Sequence, residues 1–319
     1  MITLSRMRQI RLTIGCAIAL LTLTTNQPCS AQETSNDFGA TPPGKTAEPF
    51  APEFFATLGE GHRFGLAITD DGRERYYAVG FVQDDQFREE IRYTRYENGT
   101  WTPPKPLLDE NSFKYVDPHL SPDGKRMYFI YTKPAPGTTA PEQPVFDIWY
   151  VDRQADGWSD PINIGSPIST SQAHEFFVSL TSDHTIYFGS NQADASNFDL
   201  YSARINEDGT YQKPQPLKGE VNTARYEADV FVAPDESYLI YNSNRPNDSF
   251  GRGDLYISFR RADGTWREGI NMGEQINSNT NDFAPSVSRD GKYLYYSRGG
   301  VIYWVSTAVI EDLRPSNNE

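Results

Sequence analysis

The sequence predicts an all-β protein, a single β-propeller of four-stranded blades, and three observations carry that expectation. The chain repeats itself from about residue 50, each repeat holds two tight-turn signatures, and the runs between turns are short and rich in aromatic residues. Repetition at a period of 50–60 residues points to stacked supersecondary units, because one unit of this size cannot bury its apolar faces alone.

The first turn of each repeat recurs as Thr69-Asp70-Asp71-Gly72, Ser121-Pro122-Asp123-Gly124, Thr181-Ser182-Asp183-His184, Ala233-Pro234-Asp235-Glu236 and Ser288-Arg289-Asp290-Gly291. Successive turn aspartates (the third residue of each group) are 52, 60, 52 and 55 residues apart. An aromatic-rich run follows each turn, as in Tyr76-Tyr77, Met127-Tyr128-Phe129 and Leu294-Tyr295-Tyr296, so turn and flanking runs read as a hairpin. A second hairpin turns at Asn98-Gly99, Asp156-Gly157, Asp208-Gly209 and Asp263-Gly264, where the glycine supplies the positive φ of a tight turn. The five tryptophans fall at repeat positions too: Trp101, Trp158 and Trp266 after the second turn, Trp149 and Trp304 in the third strand.

Four strands per unit make one propeller blade. The repeats lie near residues 50–110, 111–168, 169–222, 223–278 and 279–313, which gives five blades; six would follow if residues 32–60 hid a degenerate unit. The fifth repeat lacks the second turn, whereas residues 49–56 precede the first repeat where an outer strand would sit. The N-terminal strand is therefore expected to complete the last blade and close the ring, leaving residues 314–319 as a tail.

Ser121-Pro122-Asp123-Gly124-Lys125, Ser243-Asn244-Arg245-Pro246, Gly253-Asp254-Leu255-Tyr256-Ile257 and Ile302-Tyr303-Trp304-Val305 resemble the WD40-like PD40 repeat family of TolB-like periplasmic propellers. The resemblance covers about residues 50–313. It implies a propeller outside the cytoplasm that contacts another protein or a ligand.

The inner strand of each blade precedes the first turn. Counting back from the turn aspartate, positions three, five and seven are apolar in all five repeats, a pattern of one buried strand face. Positions four, six and eight include Arg63, Asp117, His119, Glu175, Glu227, Asp229 and Asp282, which are the candidate ligand-binding residues if this parity faces the central channel. Within them Glu175 with Glu227 or Asp229, from neighbouring blades, is the candidate pair for acid/base chemistry in a glycoside hydrolase or polysaccharide lyase. A divalent cation held by channel acids is a further reading; the alternative is that these acids cap turns and line a wet channel. Asp147, Asp199 and Asp254 open third strands, where recurrence favours a structural hydrogen-bonding role. His62 and His174 share position nine but belong to separate blades. The tripeptide Arg252-Gly253-Asp254 is accounted for by the repeat. No nucleophile elbow, phosphate loop, dinucleotide fingerprint or zinc-type spacing is present, so a non-enzymatic interaction or ligand-binding scaffold leads, with the glycan enzyme as its alternative.

Residues 1–31 read as a secretory signal peptide. Arg6, Arg8 and Arg11 precede an apolar run from Leu12 to Thr24, and the small residue Ala31 suits cleavage. A lipoprotein signal at Cys16 is disfavoured, because Thr13 stands where an aliphatic residue belongs and most of the apolar run follows the cysteine. Cleavage removes both cysteines and three arginines but no acid, taking the net charge from −14 to −17. Such a charge argues against nucleic acid or an anionic membrane as partner. The expected product is a periplasmic or secreted monomer with a flexible leader over residues 32–49, no cofactor, no membrane span, and an envelope or extracellular protein, or a carbohydrate, as partner.

Overall fold

The computed structural model describes residues 41–138, 143–170 and 173–316. The signal peptide and the first half of the leader, residues 32–40, lie outside the described residues. Five antiparallel sheets follow one another along the chain, each one blade of a propeller. The inner strands are His62–Ile68, Tyr115–Leu120, Glu175–Leu180, Glu227–Val232 and Asp282–Val287. The second strands are Glu74–Gln83, Arg126–Tyr131, Ile186–Ser190, Tyr238–Ser243 and Tyr293–Arg298. Third strands are Gln86–Glu97, Asp147–Gln154, Asp199–Ala203, Asp254–Phe259 and Val301–Ser306. Two-residue outer strands complete the first four blades at Lys105–Pro106, Ile162–Asn163, Gln215–Pro216 and Ile270–Asn271.

The aromatic excess has a packing cause. A blade is covered on both faces by its neighbours, so both parities of its middle strands are apolar. In blade two Met127, Phe129 and Tyr131 join Tyr76 and Ile91 of blade one, while Tyr128 and Ile130 join Ile186 and Phe188 of blade three. Two of the turn tryptophans serve the same seams. The Trp158 indole N–H donates to the Tyr76 hydroxyl of the preceding blade (3.1 Å), and Trp266 meets Tyr187 of its preceding blade edge-on.

The first turns are built alike. In four of them a Ser or Thr hydroxyl donates to the turn aspartate: Thr69 to Asp71, Ser121 to Asp123, Thr181 to Asp183 and Ser288 to Asp290. His184 and Glu236 take the left-handed conformation that glycine takes in the other three turns.

The ring closes through the N-terminus. Glu48–Pro49 is the outer strand of blade five, with Glu48 opposite Trp304 and Pro49 opposite Tyr303. Phe50 then donates its N–H to Ile302 O (2.8 Å), and its ring lies 5.0 Å from Tyr295 and 5.2 Å from Trp304. The expected strand over residues 49–56 is thus short: Pro52–Ala56 forms one helical turn, with proline at a position where its missing N–H costs nothing. Phe55 on that turn packs on Tyr77 of blade one (5.2 Å), so one segment touches both ends of the ring. Gly44 and Lys45 are already tied to Ser306 and Asp312, which shortens the expected leader. Among the described residues no helix is long and apolar enough to cross a membrane.

One feature of the inner strands departs from simple alternation. Gly65, Asp117, Phe177, Asp229 and Ala284, all six before the turn aspartate, have φ between 48° and 58°. Each lies at a register shift against its second strand. A bulge re-aims the side chain that it carries. The residues on either side of it therefore no longer share one face.

Candidate site at the mouth of the channel

The bulge separates the candidate residues into three groups. Position eight anchors each inner strand to the chain around it. Arg63 donates to Gly59 O (2.6 Å), Gly61 O and Phe55 O, holding the N-terminal turn; Tyr115 donates its hydroxyl to Leu108 O (3.1 Å). Glu227 accepts from Thr223 N (2.9 Å), Thr223 Oγ1 (2.6 Å) and Ser243 Oγ (3.2 Å). Asp282 accepts from Ser278 N (2.6 Å), Ser278 Oγ (2.8 Å) and Arg298 Nε (3.0 Å). Glu175 accepts from Ser190 Oγ (3.3 Å), and burial, with the Asp147 charge second, pushes its carboxyl up to about 9. Glu175, Glu227 and Asp282 are fully buried.

Position four joins blades. His119 Nε2 accepts from Leu180 N (3.3 Å), Ser179 Oγ accepts from Val232 N (3.0 Å), and Ser286 Oγ donates to Leu66 O (2.9 Å), each bond running to the next blade. Burial, then Arg289, pushes the His119 imidazole down to about 3, which keeps the ring neutral and its Nε2 free to accept. His119 and Phe231 line a cavity of about 640 Å³ at the turn end of the channel. Arg289 spans that end from blade five, donating to Pro122 O (3.1 Å) and Ser121 O of blade two and pairing with Asp70 of blade one (3.1 Å).

Position six is the group that reaches the channel toward its other end. Asp117 and Asp229 line a second cavity of about 730 Å³, with Phe177 of the intervening blade on its wall. Asp117 is 6 % exposed and Asp229 9 %. Gly65 leaves room for the first: a Cβ there would lie 3.4 Å from Asp117 Cα and 3.6 Å from Asp117 Oδ1, and the φ of +55° itself favours glycine. Burial pushes Asp229 up to about 7, against a backbone N–H from Ala284. Burial also holds Asp117 well above the usual carboxylate range, and the charges of Asp229 and Glu89 raise it further. The two acids thus interact as a pair, the Asp229 charge adding to the burial that holds Asp117 up. Asp117 Oδ1 is buried and has no hydrogen-bond partner among the described residues.

Around the pair the mouth is aromatic and polar. Phe64 and Phe283 face each other at 5.7 Å, and Phe146, Phe176, Phe198 and Tyr226 form an arc with successive ring separations of 5.0, 5.2 and 5.5 Å. The Tyr226 phenol is held up by burial and by the charges of Asp229 and Asp117. His62, Asn244, Arg252 and Asn281 lie on the rim.

The structure therefore brings together two of the candidate residues, Asp117 and Asp229. The expected neighbours Glu175 and Glu227 are bonded within their own blades, and Asp229 meets a carboxyl from two blades away. Arg63, His119 and Asp282 hold the scaffold. Among the described residues no three His, Cys, Asp or Glu side chains converge as a metal site would require. Asp254, fully buried, accepts from Phe250 N (2.7 Å) and Gly251 N (3.1 Å), so the Arg-Gly-Asp tripeptide presents no free carboxylate. Tyr226, Asn281 and His62 were findable: all three stand nine before their turn aspartate, at the position noted for the two histidines.

No protein-family profile matches the chain, and no curated protein matches it. Solved structures do. An endo-arabinase from Bacteroides thetaiotaomicron is similar at 12 % identity over 81 % of this chain and 95 % of that one, with a TM-score of 0.51. A gluconolactonase from Xanthomonas campestris is similar at 11 % identity over 83 % and 97 %, with a TM-score of 0.45. A prolyl endopeptidase is similar at 13 % identity over 74 % of this chain, which spans only 32 % of that one, with a TM-score of 0.39. Identities this low speak to the fold alone. Fold and site together define a five-bladed propeller with a buried acid pair at one channel mouth.

Proposed function

We propose that the protein is an exported, ligand-binding propeller that takes a carbohydrate at the mouth lined by Asp117, Asp229 and Tyr226. The observation that carries this reading is the buried Asp117 Oδ1 without a partner among the described residues, since a buried polar atom left unpaired costs about 1–3 kcal/mol and a ligand hydroxyl would recover it. Aromatic faces beside planar polar side chains suit a sugar ring, which is apolar on its faces and hydroxylated at its edge. The resemblance to PD40 propellers and the N-terminal signal pattern support a site outside the cytoplasm. N-terminal sequencing of the exported chain should begin at Gln32; retention of residues 1–31 would contradict export by cleavage.

Calorimetric titration with neutral oligosaccharides tests the site. Asp117→Ala should weaken binding by about tenfold, the worth of one well-placed hydrogen bond. Asp117→Asn, which keeps an acceptor and a donor and tolerates the left-handed backbone, should stay within a few-fold of the parent. Equal affinity in all three proteins would remove Asp117 from the site. Glycoside hydrolysis is the second reading, favoured by two carboxyls on one cavity that burial pushes above their ordinary range, since such chemistry uses a pair of carboxyl groups of which one must donate a proton. Turnover abolished by Asp117→Asn while binding persists would establish it; binding without turnover in the parent protein supports the scaffold.

A further inference from the structure

The loop that carries Arg252 is fixed at several points. Asp254 accepts the N–H groups of Phe250 and Gly251, Arg252 N donates to Thr280 O (2.6 Å), and Asp282 N donates to Gly253 O (2.9 Å). A Cβ on Gly251 would lie 2.2 Å from Thr280 O, and one on Gly253 would lie 2.3 Å from Asn281 Oδ1, so both glycines permit a close approach of the blade-four loop to blade five. The backbone of Arg252 is thus held firmly while its side chain is exposed at the rim of the mouth.

That side chain differs from most other arginines of the protein. Arg126, Arg153, Arg260, Arg289 and Arg298 are all paired with carboxylates. Arg252 makes no ion pair and no side-chain hydrogen bond among the described residues. It does not lower either channel acid: burial raises both, and the charges of Asp229 and Glu89 raise Asp117 further. Glu89 is itself engaged by Lys114 at 2.7 Å. A cavity in a protein of net charge −14 thus has acids held toward neutral at its floor and an uncommitted guanidinium at its rim.

We infer that the ligand is an acidic sugar, a uronate unit whose carboxylate is met by Arg252 while its ring lies over the aromatic wall and a hydroxyl reaches Asp117. This deepens the carbohydrate reading and rests on it. A guanidinium presents two parallel N–H groups that match a carboxylate, and a neutral sugar would leave them to water. Burial, which pushes both floor carboxyls toward their neutral forms, also lessens the charge that an anionic ligand meets.

The test is a titration of the purified protein with tri-galacturonate and with the neutral galactotriose, in 20 mM and 300 mM salt. The acidic trimer should bind about tenfold more tightly than the neutral one at low salt, and that preference should shrink at high salt. Arg252→Gln should erase the preference and leave galactotriose binding unchanged, and Arg252→Lys should restore only part of it. Equal affinity for the two trimers in the parent protein, or an equal loss for both in Arg252→Gln, would overturn the acidic-sugar assignment while leaving the carbohydrate site in place. Absence of binding by either trimer would overturn both.

Discussion

Phe50→Ala should destabilise the propeller by about 3–5 kcal/mol, the range for truncating a fully buried phenylalanine to alanine. The residue is 0 % exposed and lies between Tyr295 and Trp304, so alanine leaves a cavity walled by two large rings that belong to different strands of blade five and cannot collapse inward without moving the sheet. The position is also topological. Glu48–Pro49 supplies the outer strand that the last blade lacks, and Phe55 beyond it rests on blade one, so Phe50 is the apolar anchor of the segment that makes the ring a ring. A closed ring leaves only short sheet edges, and loosening it exposes the long edge of Val301–Ser306. Urea unfolding would measure the loss from the midpoint at unchanged slope. Lys45→Ala provides the contrast on the same segment: its ion pair with Asp312 is more than half exposed on both sides and should contribute at most a few tenths of a kcal/mol. Equal small effects for Phe50 and Lys45 would mean that the closing segment is not held by its packing.

The propeller was legible because its signals are local and repeated. A Ser/Thr-x-Asp-Gly turn states its own hydrogen bonds, and a Gly-Trp turn states which seam its indole will fill, as Trp158 and Trp266 do. The channel was only half legible, for a physical reason. Assigning Arg63, Glu175, Glu227 and Asp282 to the channel assumes unbroken alternation from position eight to position four. The left-handed residue at position six breaks it, and Gly, Asp, Phe, Asp and Ala share no chemistry that marks a bulge. Once the bulge is known, the polar residues sort themselves: those at position eight bond to the chain around their own inner strand, those at position four bond to the next blade, and the acids at position six line the channel cavity. Arg252 was hidden by its neighbour, because Asp254 explains the tripeptide while the arginine beside it has no part in the repeat.

Asp229→Asn should make the protein more stable above neutrality and leave it nearly unchanged near pH 4. The sign follows from which state holds the proton. Asp229 rises from an ordinary 3.8 to about 7 in the folded protein, so between those values the native state keeps a proton that the unfolded chain releases. The wild-type protein therefore loses stability as pH rises through that window, and the contribution is fully lost above about pH 7. A shift of this size corresponds to about 4 kcal/mol at 1.36 kcal/mol per unit, an upper figure, and a gain of about 2–4 kcal/mol for the asparagine at pH 8 is the expectation. Asparagine keeps the shape, accepts the Ala284 N–H as before, and tolerates the left-handed backbone. The His119 imidazole, lowered by burial, pulls the other way below its ordinary value, but it does so in both proteins and cancels in the difference. Asp117→Asn should shift stability in the same direction, because burial and the Asp229 charge hold that carboxyl well above its ordinary range. Together the two substitutions should gain less than the sum of their single effects, since Asp229→Asn already removes the charge that raises Asp117. A residue pair that destabilises the fold above neutrality carries a cost, which is the relation between stability and function expected of a binding site. Unfolding free energies that run parallel from pH 4 to pH 8 in wild type and Asp229→Asn would show instead that the carboxyl is solvated and ionised throughout, and would remove the acid pair from the floor of the mouth.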